Sequence, residues 1–375
     1  MRFVHLSDLH LGKKVHEYSL FEDQQYILKE ILNIIDREKP DGVILAGDIY
    51  DKSVPVTDAV GLFDGFLSDL ADRKLQVFIV SGNHDSADRL AFGSKIFSQS
   101  GIHLSPVYNG EVSPIKMTDK YGDLNVYLLP FIKPSTVRHL FEDTELKNYT
   151  DAVRCAVEKM NVDPNARNVL VSHQYVTCGE RDENVGGTDN VDVSAYDIFD
   201  YVALGHLHGP HFIKDEKIRY CGSPLKSSFS EVNQDKSLTI VDFGPKGDVK
   251  ISVVPLVPRR EMREIKGTYE ELTKKSFYEN TNLPDDYLHI TLTDEDGVVD
   301  AFYKLTTIYK KLMLLDYDNS RTREQKEIEG ALDVDQKSPL ELFDEFFEKQ
   351  NNRFMDTEEK ALAAKMIEAV WEVDL

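Results

Sequence analysis

Basic side chains, cysteine and tryptophan are all scarce in this sequence, and the first two shortages exclude something. The 375 residues carry 44 Lys and Arg against 66 Asp and Glu, a formal net charge of −22. A net charge of that sign cannot grip a polyanion, because the grip comes from Lys and Arg neutralising phosphates. The deficit is steepest toward the C-terminus, where residues 261–375 hold 28 acidic and 15 basic side chains. Three cysteines, Cys155, Cys178 and Cys221, show no paired spacing. They exclude a disulfide framework and a thiolate metal site, and fit a reducing cytoplasm. No run of about eighteen apolar residues is there to span a membrane. The opening MRFVHLSDLH turns polar at once, unlike a secretory leader.

What is there is a regular alternation of short apolar runs and helical patterns. Strands are expected at 3–6, 43–46 and 77–80. Between them, Ile27, Leu28, Ile31, Leu32 and Ile35 recur three and four apart within a helix over 20–37. Leu62, Phe63, Phe66, Leu67 and Leu70 do the same over 58–72. This rhythm predicts right-handed crossovers and a sheet with helices packed on it. Further strands are expected at 126–129, 169–171, 201–204, 238–242 and 249–254, the last two as an antiparallel pair. The expected fold over 1–265 is therefore a layered α/β sandwich with a mixed sheet. The polar segment 179–192 reads as a long loop with a functional or mobile role.

Past Pro255 and Pro258 the character changes. A helix at 268–275, a strand at 288–293 and a helix over 299–315 predict a small α/β domain at 266–320. The charged run 321–338 reads as a linker or a solvated helix. Residues 339–375 predict two amphipathic helices. Leu340, Phe343, Phe346 and Phe347 share one face of the first; Leu362, Met366, Ile367, Val370 and Trp371 form the stripe of the second. On composition alone such stripes pack on their own domain; the alternative is a helix pair that docks on a partner.

Polar residues gather where the strands end. Asp8 and His10 follow the first strand in SDLH, Asp48 the second in GD, and Asn83 with His84 the third in GNHD. His173 follows 169–171, and His206 with His208 follows 201–204 in GHLH. Ligands of such sheets collect beyond the carboxyl ends of the strands, so these side chains are expected on one rim. Residues two apart in extended chain point the same way, which makes Asp8 with His10, and His206 with His208, two-point claws. Gly47, Gly82 and Gly205 suit close backbone approach there. The donors Asp8, His10, Asp48, Asn83, His173, His206 and His208 exceed what one four-coordinate ion takes. They fit two divalent ions about 3.5–4 Å apart, with Asp48 as the natural bridge. Carboxylate, amide oxygen and imidazole without thiolate suit Mn²⁺, and accept Fe²⁺ or Zn²⁺. Such a pair would activate a water, orient a phosphodiester and stabilise its transition-state charge. His84 is left to protonate or stabilise the leaving oxygen, with Asp85 holding its imidazole in the right tautomer. His5, His16, His103, His139, His211 and His289 are read as structural.

HLSDLHLG at 5–12, GDIYD at 47–51, SGNHD at 81–85 and YCGSPLKSSFSE at 220–231 resemble the calcineurin-like metallophosphoesterases, and within them the SbcD nuclease subunits. The likeness is dense over residues 1–235, looser beyond, and returns in SPLELF at 338–343 and the last helix. It implies an α/β/β/α metallophosphoesterase sandwich, a small α/β capping domain that helps present DNA, and a C-terminal helical segment. That segment, with Leu340, Phe343, Phe346, Phe347, Leu362, Ile367, Val370 and Trp371, would dock on an SbcC-type ATPase. The family's metal ligands fall on the same seven donors and its catalytic histidine on His84. The resemblance further implies Mn²⁺ and ATP-regulated processing of DNA ends and hairpins in repair and recombination. It also implies a homodimer within a complex of two nuclease and two ATPase chains, in the cytoplasm with the nucleoid and away from membranes. One position departs. Archaeal and eukaryotic relatives often carry a histidine after the GD motif where this chain has Asp51, which bears on the balance of end-trimming and internal cleavage.

Two other classes compete. Phosphoesterases acting on phosphoproteins show GDxVDRG and GNHE where this chain has GDIYDKS and GNHD. One acting on small phosphodiesters or cyclic nucleotides has no evident use for a capping domain and terminal helices. A non-catalytic assembly scaffold is expected to have lost ligands or the histidine, and this chain keeps the whole set.

Overall fold

Alternation in Arg2–Leu6 divides its side chains between two layers. Val4 and Leu6 join Ile27, Ile31, Phe63 and Phe66 in one buried cluster, while Phe3 joins Phe78, Val126, Val171, Tyr201 and Phe243 in another. The first cluster lies beneath the helices Phe21–Glu38 and Thr57–Asp72. The second lies between two sheets. A computed structural model describes residues 1–141, 146–178 and 189–320, and individually Thr144, Thr322, Phe343, Phe347, Met355, Glu359, Lys360, Leu362, Ala363 and Met366.

The first sheet has six strands in the order Val249–Pro255, Ser237–Phe243, Arg2–Leu6, Gly42–Ala46, Gln76–Val80 and Ile102–Leu104. Arg2–Leu6 pairs antiparallel with Ser237–Phe243 and parallel with Gly42–Ala46. The second sheet also has six, in the order His211–Ile213, Asp215–Tyr220, Tyr201–Gly205, Arg167–His173, Gly122–Leu129 and Ile115–Asp119. Its central pairings are parallel. Helix Tyr149–Lys159 covers its outer face through Ala152, Val153 and Ala156. The layers therefore run helix, sheet, sheet, helix, as expected. In both sheets the parallel strands end at the same rim.

The strands at Ile102–Leu104, Ile115–Asp119 and His211–Ile213 were not signalled by apolar runs, being short or polar in alternate positions. Within the expected loop 179–192, residues 179–188 lie outside the described residues. Asn190–Asp192 is not loop but a short strand paired parallel with Tyr175–Thr177.

A three-stranded parallel sheet follows, in the order Met262–Gly267, Tyr287–Leu292 and Leu312–Tyr317. Met262–Gly267 straddles the expected boundary at 265 and pairs wholly with this sheet. The helix expected over 299–315 is much shorter. It spans Ala301–Thr306, and the chain then turns into Leu312–Tyr317. Pairing buries Leu312 against Leu288 and Ile290, which a continuing helix could not do. The small unit touches the sandwich through Val15, Leu20, Met262, Tyr287 and Met313. Arg260 bonds Asp23 at 2.8 Å, and the Tyr287 hydroxyl donates to the same carboxylate at 2.7 Å.

Leu340, Phe346, Ile367, Val370 and Trp371 lie outside the described residues, as does the run 321–338 apart from Thr322. Among the described residues no helix is long and apolar enough to cross a membrane.

Phe3 stands between the rings of Phe78 and Phe243, at centroid distances of 5.6 and 5.3 Å. Phe3→Ala opens a cavity between the sheets and is expected to cost about 3–5 kcal/mol, read as a lowered denaturant midpoint at unchanged slope.

Candidate metal centre

The strands deliver their polar residues by an abrupt change of backbone hand. Asp8, His10 and Asp48 adopt φ of 53°, 43° and 49°, and His206 a φ of 110°. Each such residue costs roughly 1–3 kcal/mol unless its surroundings enforce it. The enforcement is visible: the backbone N–H groups of Asp8 and His10 donate to the carbonyls of Gly47 and Asp48, both at 3.0 Å. The two strand ends are thus laced together. At Gly205 and Gly82 no side chain is possible. A Cβ at Gly205 would overlap the Ala46 carbonyl, and one at Gly82 would overlap the Asp48 carboxylate.

All seven predicted donors meet on this rim. Three groups have ligand atoms within 4.8 Å of one another: Asp8, His10 and His208; His10, Asp48 and His84; Asp8, Asp48 and His173. Asn83 closes the ring, its Oδ1 lying 3.0 Å from His173 Nε2 and 3.1 Å from His206 Nδ1. Asp8 is held by the Ser7 hydroxyl at 2.5 Å and the His206 N–H at 3.1 Å.

Hydrogen bonds fix which imidazole nitrogens face inward. A carbonyl oxygen only accepts, so His173 carries its Nδ1 proton toward Ala46, at 2.8 Å, and turns Nε2 to Asp48. His84 likewise donates Nδ1–H to the Asp51 carbonyl at 2.9 Å. His10 Nε2 and His208 Nε2 face each other at 3.1 Å, and the buried His10 Nδ1 has no hydrogen-bond partner. Two imidazole nitrogens that close need a proton or a cation between them. The donor set fits divalent ions.

Charge is arranged to match. Burial works against ionisation of both Asp48 and His173, but each outweighs it for the other. Asp48 is held well below the usual carboxylate range, and His173 is pushed up to about 9. Burial pushes His10 down to about 3 and His206 down to about 4, leaving them neutral with lone pairs to offer. Burial raises Asp8, and the neighbouring Asp48 charge adds to the rise. A divalent ion would take over the balancing of Asp48 and displace the His173 proton.

One expectation changes here. Asp85 does not orient His84. Its carboxylate accepts from the backbone N–H groups of Ile49 at 3.1 Å, Tyr50 at 2.9 Å and Gly82 at 2.9 Å, so it ties two strand-end loops together instead. His84, set apart from the ligands by its motif, sits inside one donor group and packs its ring edge-on to His10 at 4.9 Å. Sequence reasoning missed the Asp51 carbonyl, Glu231 and Lys236 as parts of the site. Glu231 was visible only as the last letter of a motif.

A layered sandwich with carboxylates, imidazoles and an amide gathered at its strand ends defines the class of metal-dependent phosphoesterases. Residues 1–210 match the family model of calcineurin-like phosphoesterases, and 258–351 match that of the type 5 capsule protein repressor C-terminal domain. The chain is 34% identical over 340 residues to the D-subunit of the nuclease SbcCD from Staphylococcus epidermidis, covering 88% of this chain and 89% of that protein. The chain belongs to the SbcD family of calcineurin-like phosphoesterases, which are metal-dependent nuclease subunits. Solved structures similar to it include a dimetal phosphatase from Danio rerio, with 12% identity, a TM-score of 0.39, and coverage of 68% of this chain and 95% of that one. Another is a Thermus thermophilus protein, with 11% identity, a TM-score of 0.38, and coverage of 67% and 98%.

Gly205→Ala forces its Cβ against the Ala46 carbonyl and His173, so it should cost about 1–3 kcal/mol of stability and weaken divalent-ion uptake in a metal titration. Gly61→Ala, in helix Thr57–Asp72 with nothing near its Cβ, should instead stabilise by about 0.5–1 kcal/mol and leave uptake unchanged.

Proposed function

We propose that the chain hydrolyses DNA phosphodiesters at ends and hairpins, as the nuclease subunit of an ATP-regulated complex, using two manganese ions. Asp8, His10, Asp48, Asn83, His173, His206 and His208 would hold them. The observation that carries this reading is the sharing of Asp8, His10 and Asp48 among three overlapping donor groups. Shared ligands suit two neighbouring ions better than one. When bound, the ions supply Lewis-acid stabilisation of the phosphoryl oxygens and activation of the attacking water.

The remaining work falls to the chain's own residues. Asp48 Oδ1 accepts the His84 backbone N–H at 2.9 Å, so the central carboxylate and the catalytic imidazole keep a fixed relation. With Nδ1–H spent on the Asp51 carbonyl, His84 in its imidazolium form has Nε2–H left to hand a proton to the departing sugar oxygen, and keeps the Nδ1–H as the neutral ring that remains. His84 is exposed at the rim, where a bulky polymer can reach it.

The wider assembly is part of the same proposal. The complex in the relative's name supports an SbcC-type ATPase as partner, docked on the amphipathic sequence at 339–375. Leu362 and Met366 there are 59% and 60% exposed. The small unit, whose first paired strand begins at Met262, would help present DNA. Val54, Val56, Val60, Phe92 and Ile96 are exposed apolar side chains on neighbouring segments, linked by Arg89 to the Ser53 carbonyl at 3.5 Å. They support pairing with a second copy, within two nuclease and two ATPase chains. A cytoplasmic, nucleoid-associated location follows from that role.

His84→Ala is expected to keep both ions and lower turnover about 10²–10⁴-fold. Parallel loss of an ion and of activity in a metal titration would make His84 a ligand instead. A chain lacking 337–375 should still cleave simple DNA ends with Mn²⁺ but fail to co-purify with the ATPase; continued association would refute the docking assignment. Blunt linear DNA, hairpin DNA and a small phosphodiester, each with and without the ATPase and ATP, test the substrate. Hydrolysis of the small ester alone would sink the DNA reading.

A further inference from the structure

The segment 222–236 has no part in the chemistry above, yet it closes around one of the donors. His208 faces the site with Nε2. Its Nδ1 lies 2.9 Å from Glu231 Oε1, and the Ser227 hydroxyl reaches both that oxygen, at 2.7 Å, and Nδ1, at 3.1 Å. Glu231 is only 5% exposed. Its second oxygen accepts from Lys236 Nζ at 2.6 Å. Lys236, also buried, donates further to Ser223 Oγ at 2.9 Å, Gln234 Oε1 at 2.8 Å and the carbonyl of His208 itself at 3.0 Å. One ammonium thus grips the main chain of His208 directly and its ring through Glu231. A buried ion pair adds little net stability over apolar residues of similar size. Its geometry is what distinguishes it.

We propose that Glu231, held by Lys236, is a positioning residue for His208: it fixes the Nδ1–H tautomer so that the Nε2 lone pair faces a divalent ion. An ionised carboxylate only accepts, so the proton between them belongs to the imidazole. Carboxylate partners of ligating imidazoles orient the ring and raise its basicity. The inference rests on the metal reading above and adds a residue to it.

Manganese titration of the full chain tests both, separately. The wild type should take up two ions. Glu231→Gln should weaken uptake of one of them by about 10–100-fold while leaving the other unchanged. The double variant Glu231→Gln with Lys236→Met leaves no lone ammonium buried, and should show the same loss. Unchanged affinity for both ions in the two variants would overturn the positioning role while sparing the metal reading; no uptake by the wild type would overturn both. Imidazole NMR of the zinc-loaded wild type gives an answer that does not depend on the Glu231 variants. His208, identified by the signal missing in His208→Gln, should carry its proton on Nδ1. A proton on Nε2 rules the proposal out.

Discussion

The bond from His173 to the Ala46 carbonyl joins the two halves of this protein at their working edge. His173 ends a strand of the second sheet and Ala46 ends a strand of the first, and their 2.8 Å contact sets how closely the sheets approach there. Everything at the rim inherits that spacing. Gly205 has no side chain because the Ala46 carbonyl and the His173 ring occupy its Cβ position. The donors come from strand ends of both sheets, so neither sheet alone carries a site. Packing between the sheets, around Phe3, Phe78 and Phe243, is therefore also packing of the metal centre.

The electrostatics follow from the same closeness. A carboxylate buried as deeply as Asp48, 2% exposed, would be prohibitively costly alone. His173 compensates it. The neutral His10 and His206 then add donors without adding charge. Backbone strain at Asp8, His10, Asp48 and His206 is sustained by the lacing between strand ends and by the three N–H groups converging on Asp85. Asp85 thus reaches the chemistry through loop position rather than through a proton.

Much of this was legible in the sequence, and the reasons for the gaps are physical. Buried parallel strands announce themselves as continuous apolar runs, so the central strands of both sheets were found and their ends located the donors. Edge strands such as Ile115–Asp119 expose one face and carry no such signal. The helix expected over 299–315 failed because periodicity cannot tell a buried strand from a helix turn; pairing of Leu312–Tyr317 with Tyr287–Leu292 decided it. Donor identity could be read because a side chain's chemistry is written in its letter. Which group turns each donor could not. The partner of His208 lies 23 residues away, and that of His84 is a main-chain carbonyl, which has no letter.

The charge deficit takes on a more exact meaning at the rim. Among the described residues, three cations near the donors are already committed to carboxylates: Lys13 to Asp51 at 2.8 Å, Lys236 to Glu231 at 2.6 Å, and Lys226 to Glu261 at 2.9 Å. They brace the site more than they advertise positive charge. A phosphate arriving here would therefore be attracted chiefly by bound divalent ions, whose charge outweighs local side chains. Lys226 adds a structural corollary, because Glu261 immediately precedes the first strand of the small unit. The loop that turns His208 is thereby tied to the unit proposed to present DNA. A displacement of that unit would have to break this ion pair or draw Lys226 with it.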